Sequence, residues 1–203
     1  MHYDQMTALD LVGPYEVLSG HPKVTSHFVA ERAGGLHCDN GLTLCADVAF
    51  NEAPDPDLIV VPGSSRWRSA LENEELISWL AAAYPAATWT TSVCTGSTLL
   101  AKAGILAGRR ATSHWVVRDA LAAYGAVVST QRVVVDGDVI TYAGVSAGID
   151  MALALAAALW GGASAEAIQL AFEYDPQPPL DSGVLERARP ETVAAVRAAL
   201  GSP

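Results

Sequence analysis

Between residues 87 and 103 a β-prone stretch, Ala-Thr-Trp-Thr-Thr-Ser-Val, runs directly into Cys94. The small residues Thr95, Gly96 and Ser97 then lead at once into the helical sequence Thr-Leu-Leu-Ala-Lys-Ala. A strand that turns into a helix this sharply belongs to an α/β layer structure, with the strand in a sheet and the helix laid across its face. The turn lifts the residue at the bend to where a substrate reaches it, and the first helical amides point toward the same spot. A thiol placed there is biased toward thiolate by the helix N-terminus, and the thiolate is the nucleophile. The run predicts a cysteine-nucleophile enzyme on an α/β scaffold.

The rest of the chain alternates in kind. Residues 12–18 read as a short helix with Pro14 in its first turn, residues 26–32 as a strand and residues 41–46 as a hairpin arm. Asp-Leu-Ile-Val-Val at 57–61, ended by Pro62-Gly63, is the continuous apolar run of a parallel strand covered on both faces. Residues 71–83 carry apolar side chains at helical spacing (Leu71, Leu76, Trp79, Leu80, Ala83). Residues 115–124 read as a helix stopped by Gly125, and residues 131–135 and 138–141 as a hairpin around an Asp136-Gly137 turn. Residues 147–160 form a helix, Ser164 caps the next one to Phe172, and residues 191–200 form the last. This order predicts a mainly parallel sheet with helices on both faces, its active site off the carboxyl ends of the strands, where Gly63 and Cys94 both fall. Only residues 1–5 are available for an opening strand, which reads as a stub or as the remainder of a longer one.

A length of 203 residues, 51% of them hydrophobic, suggests a single domain spanning 1–203, with a peripheral tail from about residue 180, beyond Pro176, Pro178 and Pro179. The net charge of −10 argues against nucleic acid or an anionic membrane as a partner. No apolar run approaches the roughly 18 residues of a spanning helix, and no signal peptide is visible. Three cysteines, an odd number, make no disulfide framework. Together these predict a cytoplasmic protein acting on a small molecule.

Cys94 is the leading candidate, while Cys38 and Cys45 read as inert, semi-buried thiols. Asp10, between two leucines, is either an exposed residue near a helix start or a buried acid. If buried, its pKa rises and it can exchange a proton near Cys94. Glu16 faces water, makes a structural hydrogen bond, or points inward as a second acid. Gly63 and Ser64, with the amide of Thr95, are candidates to hold a developing negative charge. His114 lies apart from the other histidines, which fall in an N-terminal third expected to be exposed. It is a candidate base or a turn histidine. The glycine-containing turn at 142–148 places Val145 at the sheet edge, and Asp150 reads as a helix-dipole partner. No cluster supports a metal, and no cofactor is expected.

Asp10, Val-Pro-Gly at 61–63, Ser-Val-Cys-Thr-Gly at 92–96, Ala-Thr-Ser-His-Trp at 111–115 and Gly-Val-Ser-Ala-Gly-Ile-Asp at 144–150 occur in that order. In this the chain resembles the ThiJ/PfpI superfamily, which is class I glutamine amidotransferase-like. Within it, residues 6–16 and 92–96 are most similar to the isonitrile hydratase subgroup. The resemblance implies a flavodoxin-like three-layer sandwich, a homodimer, Cys94 as nucleophile and Asp10 as the acid. It departs from the protease-like members, which have histidine where Thr95 stands, and from the Pro-Gly-Gly string, where Ser64 replaces the second glycine. The implied reaction is hydration of an isonitrile to an N-substituted formamide through a thioimidate. The alternatives are glyoxalase-like hydration of 2-oxoaldehydes, which expects a glutamate (Glu16) at the thiol, and a non-enzymatic redox or ligand sensor of the same fold.

Overall fold

A computed structural model describes residues 1–200, so the last three residues of the predicted 1–203 span lie outside the described residues. The chain divides into two compact units, Met1–Ala152 and Leu153–Pro203. The first is built on a four-stranded sheet of order β5-β6-β10-β9, comprising β5 (Leu58–Val61), β6 (Trp89–Val93), β10 (Val139–Tyr142) and β9 (Val133–Asp136). The first three run parallel and β9 antiparallel, with Val61 opposite Ser92 and Val93 opposite Tyr142. Their carboxyl ends therefore reach one edge together, and the turns after Val61, Val93 and Tyr142 are neighbours.

Residues 1–5 form none of the strands, yet they do not lie at the margin. Residues 1–3 are buried, and bond on one side to β5, through the Met1 amine and Val60 O (3.1 Å), and on the other to β1 (Val29–Ala30), through His2 N and Val29 O (2.7 Å). β1 in turn pairs in parallel with β4 (Val48–Ala49). The exposure expected of the N-terminal third fails here, because His2 is fully buried. The strand read over 26–32 shrinks to the two residues of β1. The hairpin arm is β3 (Thr43–Ala46), paired antiparallel with β2 (Gly34–His37). A short parallel pair joins β7 (Arg110–Ala111) and β8 (Val127–Val128).

Helices form where the apolar spacing predicts, with shifted ends. α1 (Ala8–Ser19) begins four residues before the expected start, so Pro14 lies inside it and Asp10 falls in its first turn. A proline there removes only its own amide, which would have bonded Asp10 O, and its ring fits against Gly148, where a Cβ would sit 3.2 Å from Pro14 Cγ and Cδ. The helix expected over 71–83 starts three residues late, as α3 (Glu74–Ala83), because Asn73 accepts from Leu76 N at 3.0 Å and caps it, and a separate short helix, α2 (Trp67–Ala70), precedes it. α4 (Gly96–Lys102) follows Cys94 after one residue. Residues 118–124 are 3₁₀ rather than α-helical, and Gly125, at φ 81°, stops them. The hairpin loop is Gly137-Asp138, one residue later than expected: Asp136 stays in the ladder opposite Val139, and Gly137 takes the positive φ (63°). α5 (Ala147–Trp160) agrees with its expected bounds.

The core of the first unit is apolar: Leu11 on α1, Leu76 and Leu80 on α3, Leu99 and Leu100 on α4, Ile59 and Val61 on β5, and Val139 on β10. Each fully buried Leu or Ile contributes roughly 1.5–3 kcal/mol. In the second unit, α6 (Gly162–Ala171) is preceded by Gly161 at φ 88°, while Ser164 sits inside it and donates to Trp160 O (3.1 Å). Ser164 is therefore not the cap. α7 (Pro190–Leu200) follows the proline-rich stretch.

Candidate active site

Cys94 occupies the bend between β6 and α4 with φ 59°, a left-handed conformation costing a non-glycine residue about 1–2 kcal/mol. The fold over-determines it. Its N–H donates to Tyr142 O (3.1 Å), and its carbonyl accepts from Ser113 Oγ (3.0 Å), His114 N (3.3 Å) and Ser97 Oγ (3.4 Å). Such strain persists only where surrounding bonds impose it. The turn also demands close backbone approach, because a Cβ at Gly96 would sit 2.3 Å from Val61 O.

Asp10 reaches the same edge from α1 and is 0% exposed. Its Oδ2 accepts the Gly63 N–H at 2.8 Å. Its Oδ1 has no partner of hydrogen-bond geometry in the resting structure, while the Cys94 thiol is the side chain that interacts with the carboxyl. Burial pushes Asp10 up to about 7, opposed by the Gly63 amide and assisted by the charge of Asp39. With Oδ2 held as an acceptor, the acid's proton belongs on Oδ1, the oxygen left for the thiol or a ligand.

The ionisation expected of Cys94 is reversed. Burial first, then the Asp10 carboxyl, push the thiol well above its ordinary range, and the Thr95 amide opposes this only in part. A seven-residue helix offers little dipole, and no cation faces the sulfur among the groups that shift it. The resting pair is a thiol beside an acid near its midpoint at neutral pH.

Thr95 and Ser64 brace this pair. Thr95 Oγ1 accepts from Ser64 N (2.7 Å) and donates to Ser64 O (2.9 Å). The amides of Gly63 and Ser64 are thus committed to Asp10 and Thr95, and the Thr95 amide is the one directed at sulfur. Gly63 lies between the two side chains: a Cβ there would stand 2.6 Å from Thr95 N and 3.0 Å from Asp10 Oδ2. His114 touches Cys94 through its backbone, while its ring Nδ1 accepts from Val116 N at 3.4 Å and burial lowers its pKa. Val145 is half-buried in the turn after β10, next to Gly144, whose Cβ position is 3.8 Å from the His114 ring. Glu16 is exposed. Cys38 is buried and Cys45 exposed, so neither is semi-buried. Asp150 pairs with Arg132 at 2.5 Å.

Two residues at the site carry no sequence signal. Tyr3 is buried, donates to Pro62 O (2.9 Å), and has its pKa raised by burial and by the charges of Asp10, Cys94 and Asp39. Asp39 looks like one residue of an Asp-Asn-Gly turn until the hairpin is folded back over the site. Among the described residues no group of three or more His, Cys, Asp or Glu could hold a metal, and no helix is long and apolar enough to cross a membrane.

Comparison with known families agrees with this fold: the DJ-1/PfpI family matches residues 1–158. The chain belongs to the DJ-1/PfpI family. It is 41% identical over 181 residues to an isonitrile hydratase of Pseudomonas putida, covering 89% of this chain and 79% of that protein. A deglycase of Pyrococcus abyssi is 32% identical over 66% of this chain and 82% of its own length. A crystal structure of a ThiJ/PfpI family protein from Pseudomonas syringae superposes with a TM-score of 0.94 at 36% identity, over 98% of this chain and 84% of that one. The flavodoxin-like α/β sandwich is that of the DJ-1/PfpI family.

Proposed function

We propose that this chain hydrates an isonitrile to an N-substituted formamide, with Cys94 as nucleophile and Asp10 as proton donor and acceptor. The observation that carries the reading is the buried Asp10 carboxyl, poised near neutrality against a thiol that has no base. The isonitrile hydratase relative, similar over most of both chains, supports the choice of substrate. A terminal isonitrile carbon must gain both a proton and a sulfur. Asp10 Oδ1 gives its proton to that carbon as Cys94 sulfur bonds to it, and the thiol proton passes to the carboxylate left behind, yielding a thioimidate. Asp10, protonated again, gives that proton to the imidate nitrogen and takes one from a water that attacks the same carbon. Breaking the C–S bond returns the proton to sulfur and releases the formamide. The Thr95 amide steadies the sulfur, the Gly63 amide acts through the Asp10 carboxyl it orients, and Ser64 holds Thr95. His114 and Val145 line the approach, and no metal or cofactor enters.

The glyoxalase-like alternative is weakened, because Glu16, the glutamate it called on, is exposed. The assembly proposed is a homodimer, and the setting proposed is the cytoplasm. The test is formamide release from a simple alkyl isonitrile. Cys94→Ala is expected to abolish it, and full retained activity in that variant would sink the reading.

A further inference from the structure

Three segments that share no strand meet over Asp10: residues 3–7, the β2–β3 turn at 37–41, and the turn after β5 at 62–66. Backbone bonds join the first segment to each of the other two: Gln5 N to His37 O (2.6 Å), Asp39 N to Met6 O (3.0 Å) and Thr7 N to Gly63 O (2.8 Å). Ser64 Oγ adds a bond to Gln5 O (2.5 Å). One side chain ties its own segment to both others. Asp39 Oδ2 accepts the Thr7 hydroxyl at 2.7 Å and the Ser65 amide at 3.1 Å.

The Thr7 bond has a consequence for the acid. Thr7 holds the N-cap position of α1, where a threonine oxygen ordinarily accepts from the second or third helical amide. It makes no such bond. Its hydroxyl points to Asp39 instead, and Asp10 N reaches only Thr7 O, at 3.2 Å. The first turn of α1, which carries Asp10, is therefore anchored from outside the helix.

We propose that Asp39 is a positioning residue for Asp10: through Thr7 and Ser65 it sets the first turn of α1 against the Gly63 turn and so fixes where the Asp10 carboxyl meets Cys94. This deepens the reading of Asp10 as the acid of the reaction and rests on it. Asp39 also adds a negative charge that faces Asp10, Cys94 and Tyr3 together, and these are the titratable groups brought to Asp10 by the β2–β3 turn, the β6–α4 elbow and the N-terminal segment. No cation is among them, so the charge of Asp39 favours the protonated acid.

Three variants of the full chain separate the tie from the charge. Asp39→Asn keeps an oxygen acceptor and removes the charge, Thr7→Val keeps the charge and the Ser65 bond but removes the tie to α1, and Asp39→Ala removes the charge and both bonds. Carbon-13 NMR of labelled aspartate reads the Asp10 midpoint, and iodoacetamide labelling of Cys94 followed by mass spectrometry reads the thiol, neither needing turnover. Asp39→Asn should hold kcat at pH 6 within about threefold while moving the Asp10 midpoint down by roughly half a unit. Thr7→Val and Asp39→Ala should lower kcat about tenfold or more with KM little changed. They should also alter the Cys94 labelling rate, while circular dichroism shows the fold retained. If all three variants keep the wild-type midpoint and labelling profile, Asp39 is a structural tie only and the proposal is overturned, whatever happens to the melting temperature. If midpoint and labelling move as expected while the wild type hydrates no isonitrile, the positioning role stands and the assigned reaction fails.

Discussion

A carboxyl with no accessible surface and a midpoint of about 7 is half ionised at neutral pH, and that ties activity and stability at Asp10 to one proton. Its folded pKa lies above its unfolded value. The stability it contributes is full below about pH 4 and is lost as pH rises through about 7. Asp10→Asn keeps an oxygen to accept the Gly63 amide and removes the titration. The variant should gain on the wild type as pH rises, by on the order of 4 kcal/mol at most at pH 8 and by little at pH 4, measured by urea unfolding at both. Its turnover should fall by about a hundredfold or more. In the wild type, kcat/KM should decline above about pH 7 as the proton donor is lost. Equal unfolding curves for the two proteins at pH 8 would show that no buried charge is being carried there.

At the scale of elements, the strained elbow depends on how closely β5 and α4 approach. A methyl group at Gly96 would press on Val61 O at 2.3 Å and Pro62 O at 2.8 Å, both backbone atoms with nowhere to go. Gly96→Ala should therefore cost about 3 kcal/mol or more, read as a lowered urea midpoint, and should slow Cys94 alkylation by moving the bend. A Gly104→Ala control also loses stability, at a positive φ of 80°, but it meets no atom within 4 Å and should leave the alkylation rate unchanged. Strand and helix existence at this edge was legible, since β5 and α5 are apolar runs, β6 is β-prone, and α4 follows small residues in a helical sequence. Element ends were less so. α1 starts early because Thr7 and Asp39 hold its first turn, and α3 starts late because Asn73 caps it, and both outcomes depend on side-chain bonds rather than on hydrophobic spacing.

Across the first unit, the N-terminal residues bridge β5 of the four-stranded sheet and β1 of the β1-β4 pair, and they do so with an ionisable pair inside. Burial pushes His2 down to about 4, with the Met1 amine adding to the effect and Asp4 opposing it. Both His2 ring nitrogens lack a hydrogen-bond partner. Its folded pKa lies below its unfolded value, so its contribution is full above about pH 6.5 and is lost as pH falls through about 4. His2→Leu should spare the protein roughly 2 kcal/mol of the stability lost between pH 8 and pH 5, measured by denaturant titration. If the two proteins lose stability in parallel over that range, His2 is not the group responsible. The prediction is opposite in sign to that for Asp10, so the two variants distinguish the groups in one pH series.

Local sequence was enough to place a cysteine at a strand-to-helix turn, to set parallel strands ending at Val61 and Val93, and to put Asp10 among apolar residues. Backbone propensity and side-chain period act over a few neighbours, and they are written in consecutive residues. Three things were decided only by the tertiary structure. The thiol is held protonated instead of activated, because burial and a carboxyl from a strand-distant helix outweigh a short helix's dipole. Glu16 is exposed, and His114 meets Cys94 through its backbone amide while its ring Nδ1 accepts from Val116 N. Tyr3 and Asp39 do join the site, 91 and 55 positions away from Cys94 in the chain. Desolvation and charge–charge coupling depend on distance through space, and no spacing along the chain encodes that distance until the sheet and hairpin are folded.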